Sequence, residues 1–333
     1  MGMSTAKRLC GWLALGMFVG VLLFGCGTVR VPVKVTHPAE INMARYKQIA
    51  ITDISGNLGN AFSDDLKERI IESNRFTLVD RTRLDRVMRE LQLSGSDLAQ
   101  SDKAAKMGQL LPATAIISGN LNGQYKENMT YQDETRYRDK NDKRGYRVRI
   151  FTRTGTVDTS GSVDVIDVST GQILKSKSLG NRCEDSNSAE GGTPENIDRP
   201  VLRGKCVHGN VTKFMKAISP WSEIVRAPFR TDGDLPTLEA GVNKAKIGDM
   251  QGAVDTFQEA AKSAEMNPKV KPKTIAKAYF NMGLAYQYSD QHDKALEAFN
   301  KSYTIDPSSD CAKEIANCKR LRHEKRKLDE QSR

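Results

Sequence analysis

Histidine is scarce in this 333-residue chain, and the four present (His37, His208, His292 and His323) stand far apart. None pairs with cysteine or carboxylate at the spacing of a zinc site, so no resident metal is expected. The sequence also lacks a G-x-S-x-G elbow and a Walker loop, and with them the patterns of serine hydrolysis and nucleotide binding. The nearest approach to a phosphate cradle is Ser55-Gly56-Asn57-Leu58-Gly59-Asn60, between a predicted strand and a predicted helix. It lacks the full glycine fingerprint, and Asp64-Asp65 would repel a phosphate, although first-turn acids suit the helix dipole. A simple turn is the expected reading. No cofactor is expected, and no residue set supports an enzyme. The formal net charge of +10 is modest for this length and suits solubility beside anionic surfaces, not nucleic-acid binding.

What the chain does have begins at its start. Lys7-Arg8 is followed by an apolar run from Leu9 to Phe24 and then Gly25-Cys26. Two cations, an apolar core and a small residue at the cut are the parts of a secretory signal. An uncleaved transmembrane helix is the alternative, for which the run is only marginally long against the ~20 residues a span needs. Leu23-Phe24-Gly25-Cys26 resembles the lipobox of bacterial lipoproteins, in which the cysteine is diacylated and becomes the new N-terminus. Phe24 departs from the small or β-branched residue usual in its slot. The expected anchor is therefore a lipid on Cys26. Gly27-Thr28 lack the aspartate associated with inner-membrane retention, which points to the periplasmic face of the outer membrane.

The other cysteines divide into two pairs. Cys183 and Cys206 bracket a polar stretch, EDSNSAEGGTPENIDRP, and in an oxidising compartment they can close it as a disulfide, two free thiols being the alternative. Cys311 and Cys318 lie seven apart on one predicted helix, separated by ~10.5 Å of rise. That is too far for a bridge, so they read as small apolar residues on a packing face.

After residues 1–25, residues 26–44 read as an extended tether, with an edge strand in VRVPVKV as the alternative because of Pro32. Residues 45–220 alternate strand and helix: a strand in KQIAITDIS, a helix over Asn60–Ser73 with Phe62, Leu66 and Ile70 on one face, and a strand in FTLVD. Thr82 to Asp85 has capping-box spacing before a helix with Leu84, Val87, Met88 and Leu91 on one face. A short helix from Asp102 and a third strand in ATAIISGNL follow, and 121–180 becomes β-like, with a turn at Ser169-Thr170-Gly171. This order predicts a layered α/β domain. A short helix over NVTKFMKAI ends at Pro220, and residues 221–236 read as a linker.

Residues 237–308 read as two helical repeats, with a closing helix over 309–333. Tyr279, Met282, Gly283, Tyr286, Ala295, Phe299, Ser302 and Pro307 fall on the spacing of the tetratricopeptide pattern. Gly283 and Ala295 let two antiparallel helices approach, Tyr286 and Phe299 fill the seam, and Pro307 stops the second helix. Gly241, Gly248, Ala253, Phe257 and Ala260 repeat those offsets upstream. Lys277, Phe280, Leu284 and Gln287 form a separate stripe, the expected ligand-facing surface for an envelope protein or peptide.

The first domain resembles the CsgG family, the lipoproteins of curli production and assembly. The likeness runs over roughly 45–180 and rests on Ile49-Ala50-Ile51 with Asp53, Phe76-Thr77-Leu78-Val79-Asp80-Arg81, and Leu84, Met88, Glu90-Leu91 and Leu93. It continues in Met107-Gly108-Gln109-Leu110 with Ala113, Ile117 and Gly119, and in Val168-Ser169-Thr170-Gly171-Gln172-Ile173-Leu174. The resemblance implies an envelope lipoprotein with assembly or docking surfaces. It also implies two rivals: a homo-oligomeric ring whose inserted hairpins build a membrane barrel, or an activator of a peptidoglycan synthase. The candidate insertion is 121–155. There Tyr146, Val148 and Ile150 share a face, but the would-be partner Thr130–Lys140 carries Asp133 and Asp139 on one face and Glu134, Arg136, Arg138 and Lys140 on the other. Acids facing lipid cost kilocalories each near the midplane, which disfavours the barrel.

Overall fold

The computed structural model describes residues 27–90, 106, 109–112, 114–139 and 144–332. The signal segment, Cys26 and most of the helix expected at Asp102 lie outside the described residues. In chain order the elements are β1 (Thr28–His37), β2 (Gln48–Ser55), α1 (Gly59–Glu72), β3 (Thr77–Leu78), α2 (Arg81–Glu90), β4 (Thr114–Arg136), β5 (Tyr146–Asp167) and β6 (Ile173–Glu190). They continue with α3 (Arg199–Ile218), β7 (Trp221–Arg230), α4 (Thr237–Lys246), α5 (Met250–Met266), α6 (Pro272–Gln287), α7 (His292–Ile305) and α8 (Ser309–Gln331). The described chain forms two compact units, one within residues 34–223 with 322–332, the other of 224–321 with 27–33.

The first unit is built on a sheet of order β3-β2-β4-β5-β6. β2 runs parallel to both β3 and β4, while β4, β5 and β6 are antiparallel neighbours. Successive side chains of a strand point to opposite faces, so β2 serves two layers at once. Ile49 and Ile51 join Phe62, Leu66 and Ile70 of α1 and Val211 and Phe214 of α3. Ala50 packs instead with Leu84 and Val87 of α2 and Ile116 of β4. Phe62 and Phe214 meet edge to face at 6.2 Å.

Four expectations need correction. FTLVD contributes only Thr77–Leu78 to the sheet. Thr82 does not cap α2, which already begins at Arg81, with the Leu84 N–H donating to the Asp80 carbonyl. The stretch after Cys183 is not a loop: β6 runs on to Glu190, and α3 starts at Arg199, well before the expected Asn210, with the Asp198 carboxylate accepting from the Val201 N–H. Finally, the expected tether 26–44 and linker 221–236 contain two strands, β1 and β7, which form a sheet of their own. Val31, Ala227 and Phe229 are buried at alternating positions, and Pro32 sits exposed in this two-stranded ribbon, where its missing N–H is tolerated.

Cys183 and Cys206 are joined as a disulfide with Cα atoms 5.6 Å apart, packed with Val157, Ile197 and Leu202. It ties the N-terminal half of α3 to the β6 strand.

The second unit stacks the hairpins α4–α5 and α6–α7 with the start of α8. Gly241 meets Phe257 and Gly283 meets Phe299 in the same way: a Cβ would come within 2.4 Å and 2.5 Å of the ring. Helix approach therefore needs glycine at both positions. Cys311 and Cys318 are free and fully buried on the packing side of α8.

Two outcomes are expected. Gly283→Ala should destabilise the helical unit by about 1–3 kcal/mol through overpacking against Phe299, read by guanidinium unfolding followed by helical ellipticity. Reducing the disulfide, which closes a separation of 23 residues, should cost the sheet unit about 3 kcal/mol on the loop-entropy scale, read as a lower Tm that Cys311 and Cys318 substitutions do not reproduce.

Candidate functional site

Residues three and four apart share a helix face, so α6 carries two stripes. Tyr279, Met282, Gly283 and Tyr286 turn to the neighbouring helices; Ala295 and Phe299 of α7 are fully buried against them, and Pro307 lies exposed just past the end of α7. The other stripe is Lys277, Phe280, Leu284 and Gln287. Expected to face solvent and a ligand, these four are instead 6%, 1%, 0% and 1% exposed. The chain itself covers them.

The cover is the end of β7 and the residues after it. Asn281, fully buried on the same stripe, grips one residue by both of its backbone groups. The Arg230 N–H donates to Asn281 Oδ1 at 2.8 Å, and Asn281 Nδ2 donates to the Arg230 carbonyl at 2.7 Å. Lys277 Nζ and Thr274 Oγ1 donate to Asp232 Oδ2 at 2.8 Å and 2.9 Å. The Arg230 guanidinium lies 3.9 Å over the Phe280 ring and 3.7 Å from Asp310. Phe229 stacks on Phe257 at 5.8 Å. Gln287 donates to Glu314 of α8 at 3.3 Å. The result is a groove that reads an extended backbone through an amide and side chains through an aromatic wall, a cation seat and an anion seat. Asn281 was missed at the sequence level because an asparagine amid apolar neighbours carries no signal until its backbone partner is known.

Lys277 is buried and Asp232 partly so, an arrangement stable only when each charge is well hydrogen-bonded. Burial pushes the Asp232 carboxyl up, but the Lys277 ammonium, the Asp234 N–H and the Thr274 hydroxyl outweigh it and hold the carboxyl below its ordinary value.

The sheet unit offers a second concavity, a cleft of about 560 Å³ at the C-terminal ends of α1 and α3, lined by Arg69, Glu72, Lys216, Trp221 and Glu223 among others. Both faces of Trp221 are taken, by His37 at 4.4 Å and by the Lys216 ammonium at 3.5 Å. His37 Nδ1 lies 2.8 Å from Glu324 Oε2 and Nε2 lies 3.2 Å from Glu223 Oε1. Beside it, Gln331 donates to the Ala39 carbonyl and accepts the Ala39 N–H, each at 2.9 Å. The Ser55–Asn60 stretch is a turn pinned to β4: Gly56 has φ +94°, and the Asn57 amide bonds both backbone groups of Gly123.

Residues 121–155 lie in the long β4–β5 hairpin, whose ladder runs to Arg136 opposite Tyr146. Directly opposed residues share a face. Asp133 takes a bidentate bond from Arg149 on one face, where Arg153 also meets Glu127, while Arg136 reaches Glu190 on the other. Tyr131 lies under Arg149 at 4.5 Å and is 63% exposed. Among the described residues no helix is long and apolar enough to cross a membrane.

The fold is an α/β sheet domain with helices on both faces, followed in the chain by paired helical repeats. Residues 27–193 match the family model of the curli production assembly/transport component CsgG, and residues 276–309 match that of the tetratricopeptide repeat. The chain belongs to the CsgG family. No curated protein matches it. Among solved structures, the LpoB C-terminal domain from Salmonella enterica is 16% identical over 40% of this chain and 82% of its own, with a TM-score of 0.24. Lipoprotein GNA1162 from Neisseria meningitidis is 11% identical over 50% of this chain and 96% of its own, with a TM-score of 0.25.

Acid should loosen the groove. Because the Asp232 carboxyl is held below its ordinary 3.8, its contribution is complete above that value and is lost as pH falls through the lower, folded one. Unfolding of the helical unit should therefore shift to lower guanidinium concentration below about pH 4. Asp232→Ala, which takes the carboxylate from the Lys277 ammonium and the Thr274 hydroxyl, should cost about 1–3 kcal/mol at neutral pH and flatten that acid limb, both read from guanidinium titrations across pH.

Proposed function

We propose that this protein is a non-enzymatic lipoprotein of the bacterial cell envelope, anchored through acylated Cys26 to the periplasmic face of the outer membrane. Its CsgG domain is a platform for assembly or docking, and its helical repeats bind protein. The observation that carries the reading is the groove on α6, where Asn281 hydrogen-bonds both backbone groups of an extended residue and charged and aromatic side chains sort its neighbours. That is recognition of polypeptide, with no reacting group at hand. The lipobox-like Leu23-Phe24-Gly25-Cys26 supports the anchor.

A channel is the weaker reading. Barrel strands need one apolar side toward lipid. The β4–β5 hairpin carries ion pairs on both faces, so whichever face met lipid would have to bury a pair in hydrocarbon or break it.

Expression of the full chain and of Cys26→Ser in a Gram-negative host tests the anchor. Wild type should sediment with outer membranes and label with palmitate, and the variant should be released to the periplasm. A variant that stays membrane-bound excludes the lipid anchor. Crosslinking in cells should capture an envelope protein through the wild-type chain. Conductance in planar bilayers together with a detergent-stable ring would instead establish a channel. Raised turnover of an added peptidoglycan synthase would identify a cell-wall regulator.

A further inference from the structure

The groove on α6 is already filled, and its occupant shows what it takes. Asn281 bonds only main chain, so by itself it accepts any extended residue, while the flanking pockets choose the sequence. Phe257 faces an aromatic at position 229, Phe280 and Asp310 face a cation at 230, and Lys277 with Thr274 faces an acid at 232. The occupied pattern is aromatic, cation, any residue, acid.

The occupant's own sheet holds it weakly. Among the described residues β7 pairs with β1 alone, and two-stranded ribbons are marginal in water. Pro228, inside β7, brings no N–H to the ladder just before the gripped residues. Beyond the ladder the Thr231 N–H and hydroxyl reach β1's side, at the Gly27 carbonyl, while Phe229, Arg230 and Asp232 are held by the groove's side chains, contacts that another chain carrying the same pattern can make.

We propose that the repeat groove is a peptide-binding site closed by the chain's own residues 227–232, and that it takes its protein partner by exchange for an extended partner segment of the pattern aromatic–cation–x–acid. This rests on the reading of the repeats as a protein-binding module and names the chemistry of the partner. A tethered segment competes at an effective concentration on the order of mM, so the resting groove should admit a free peptide poorly.

The probe is a fluorescent peptide with the sequence of residues 224–234, IVRAPFRTDGD, titrated into the full chain in detergent. The comparison protein carries Phe229→Ala and Asp232→Ala, which strip the resident ligand and leave every groove side chain in place. Wild type should bind the peptide at least tenfold more weakly than this opened variant, and saturating peptide should raise the Tm of the opened variant and not of wild type. Adding Asn281→Ala or Lys277→Ala to the opened variant should weaken peptide binding at least tenfold. A control peptide with alanine for its phenylalanine and the aspartate two residues after its second arginine should not bind. Equal binding by wild type and opened variant, or no binding by an opened variant of unchanged helicity, overturns the proposal. Should the opened variant unfold, hydrogen exchange on the unaltered chain decides. Exchange of the Arg230 amide by local opening, while the α6 amides stay protected, supports it; exchange of both only by global unfolding overturns it. Neither result bears on palmitate labelling or membrane release, so a failed exchange model leaves the envelope-lipoprotein reading testable by itself.

Discussion

An extended chain outside a full sheet leaves backbone donors and acceptors that must find partners or water, and in this protein side-chain amides supply them. In the helical unit Asn281 bonds the N–H and the carbonyl of Arg230, and in the sheet unit Gln331 does the same for Ala39. Both amides are nearly excluded from solvent. A primary amide is suited to this task because it offers a donor and an acceptor side by side, matching the two groups of one residue. Buried and unpaired, either amide would be costly, so each amide and its strand require one another. The burial of Lys277 and Phe280 follows from the same grip, while Gln287 is met by Glu314 of α8.

That constraint changes what the repeats are. A paired-helix module with an empty concave face would present an aromatic and charged stripe to water. Here the stripe is part of the interior, with Phe229, Phe280 and Phe299 in one hydrophobic cluster. The buried Lys277–Asp232 pair adds specificity more than stability, since a pair of charges removed from water gains little over apolar residues of like size. Its contribution is to admit one chemistry at one position.

The sheet unit follows a different logic. Its parallel centre is covered on both faces, by α1 and α3 on one and α2 on the other, as buried β2 requires. Beyond Asn120, where pairing with β2 ends, β4 and β5 continue as a ladder whose stability comes from backbone pairing and cross-strand ion pairs such as Asp133–Arg149. Tyr131 and Arg149 on the open part of this hairpin are residue types enriched where proteins dock. The hairpin carries ion pairs on both of its faces, Asp133–Arg149 on one and Arg136–Glu190 on the other.

Much of this was legible in the residues. The faces of α1 and α2, the paired glycines and phenylalanines of the repeats, and the inert pair Cys311 and Cys318 all follow from a fixed period, and period is local information. The α/β layering of the first domain and the helical repeats of the second were legible for the same reason. The tether and the linker were misread because β1 and β7 each hold a proline and are stable only as partners, nearly 200 residues apart in the chain. The stripe Lys277, Phe280, Leu284 and Gln287, expected to face a ligand, is buried instead, with Phe280 edge-on to Phe299 in the packed core, and nothing in α6 alone says what lies against it. The sequence alone determined the strongly periodic elements and the faces that they bury. Tertiary structure decided that the ligand in place is the protein's own strand, because only folding brings Arg230 and Asp232 within hydrogen-bond and ion-pair reach of Asn281 and Lys277.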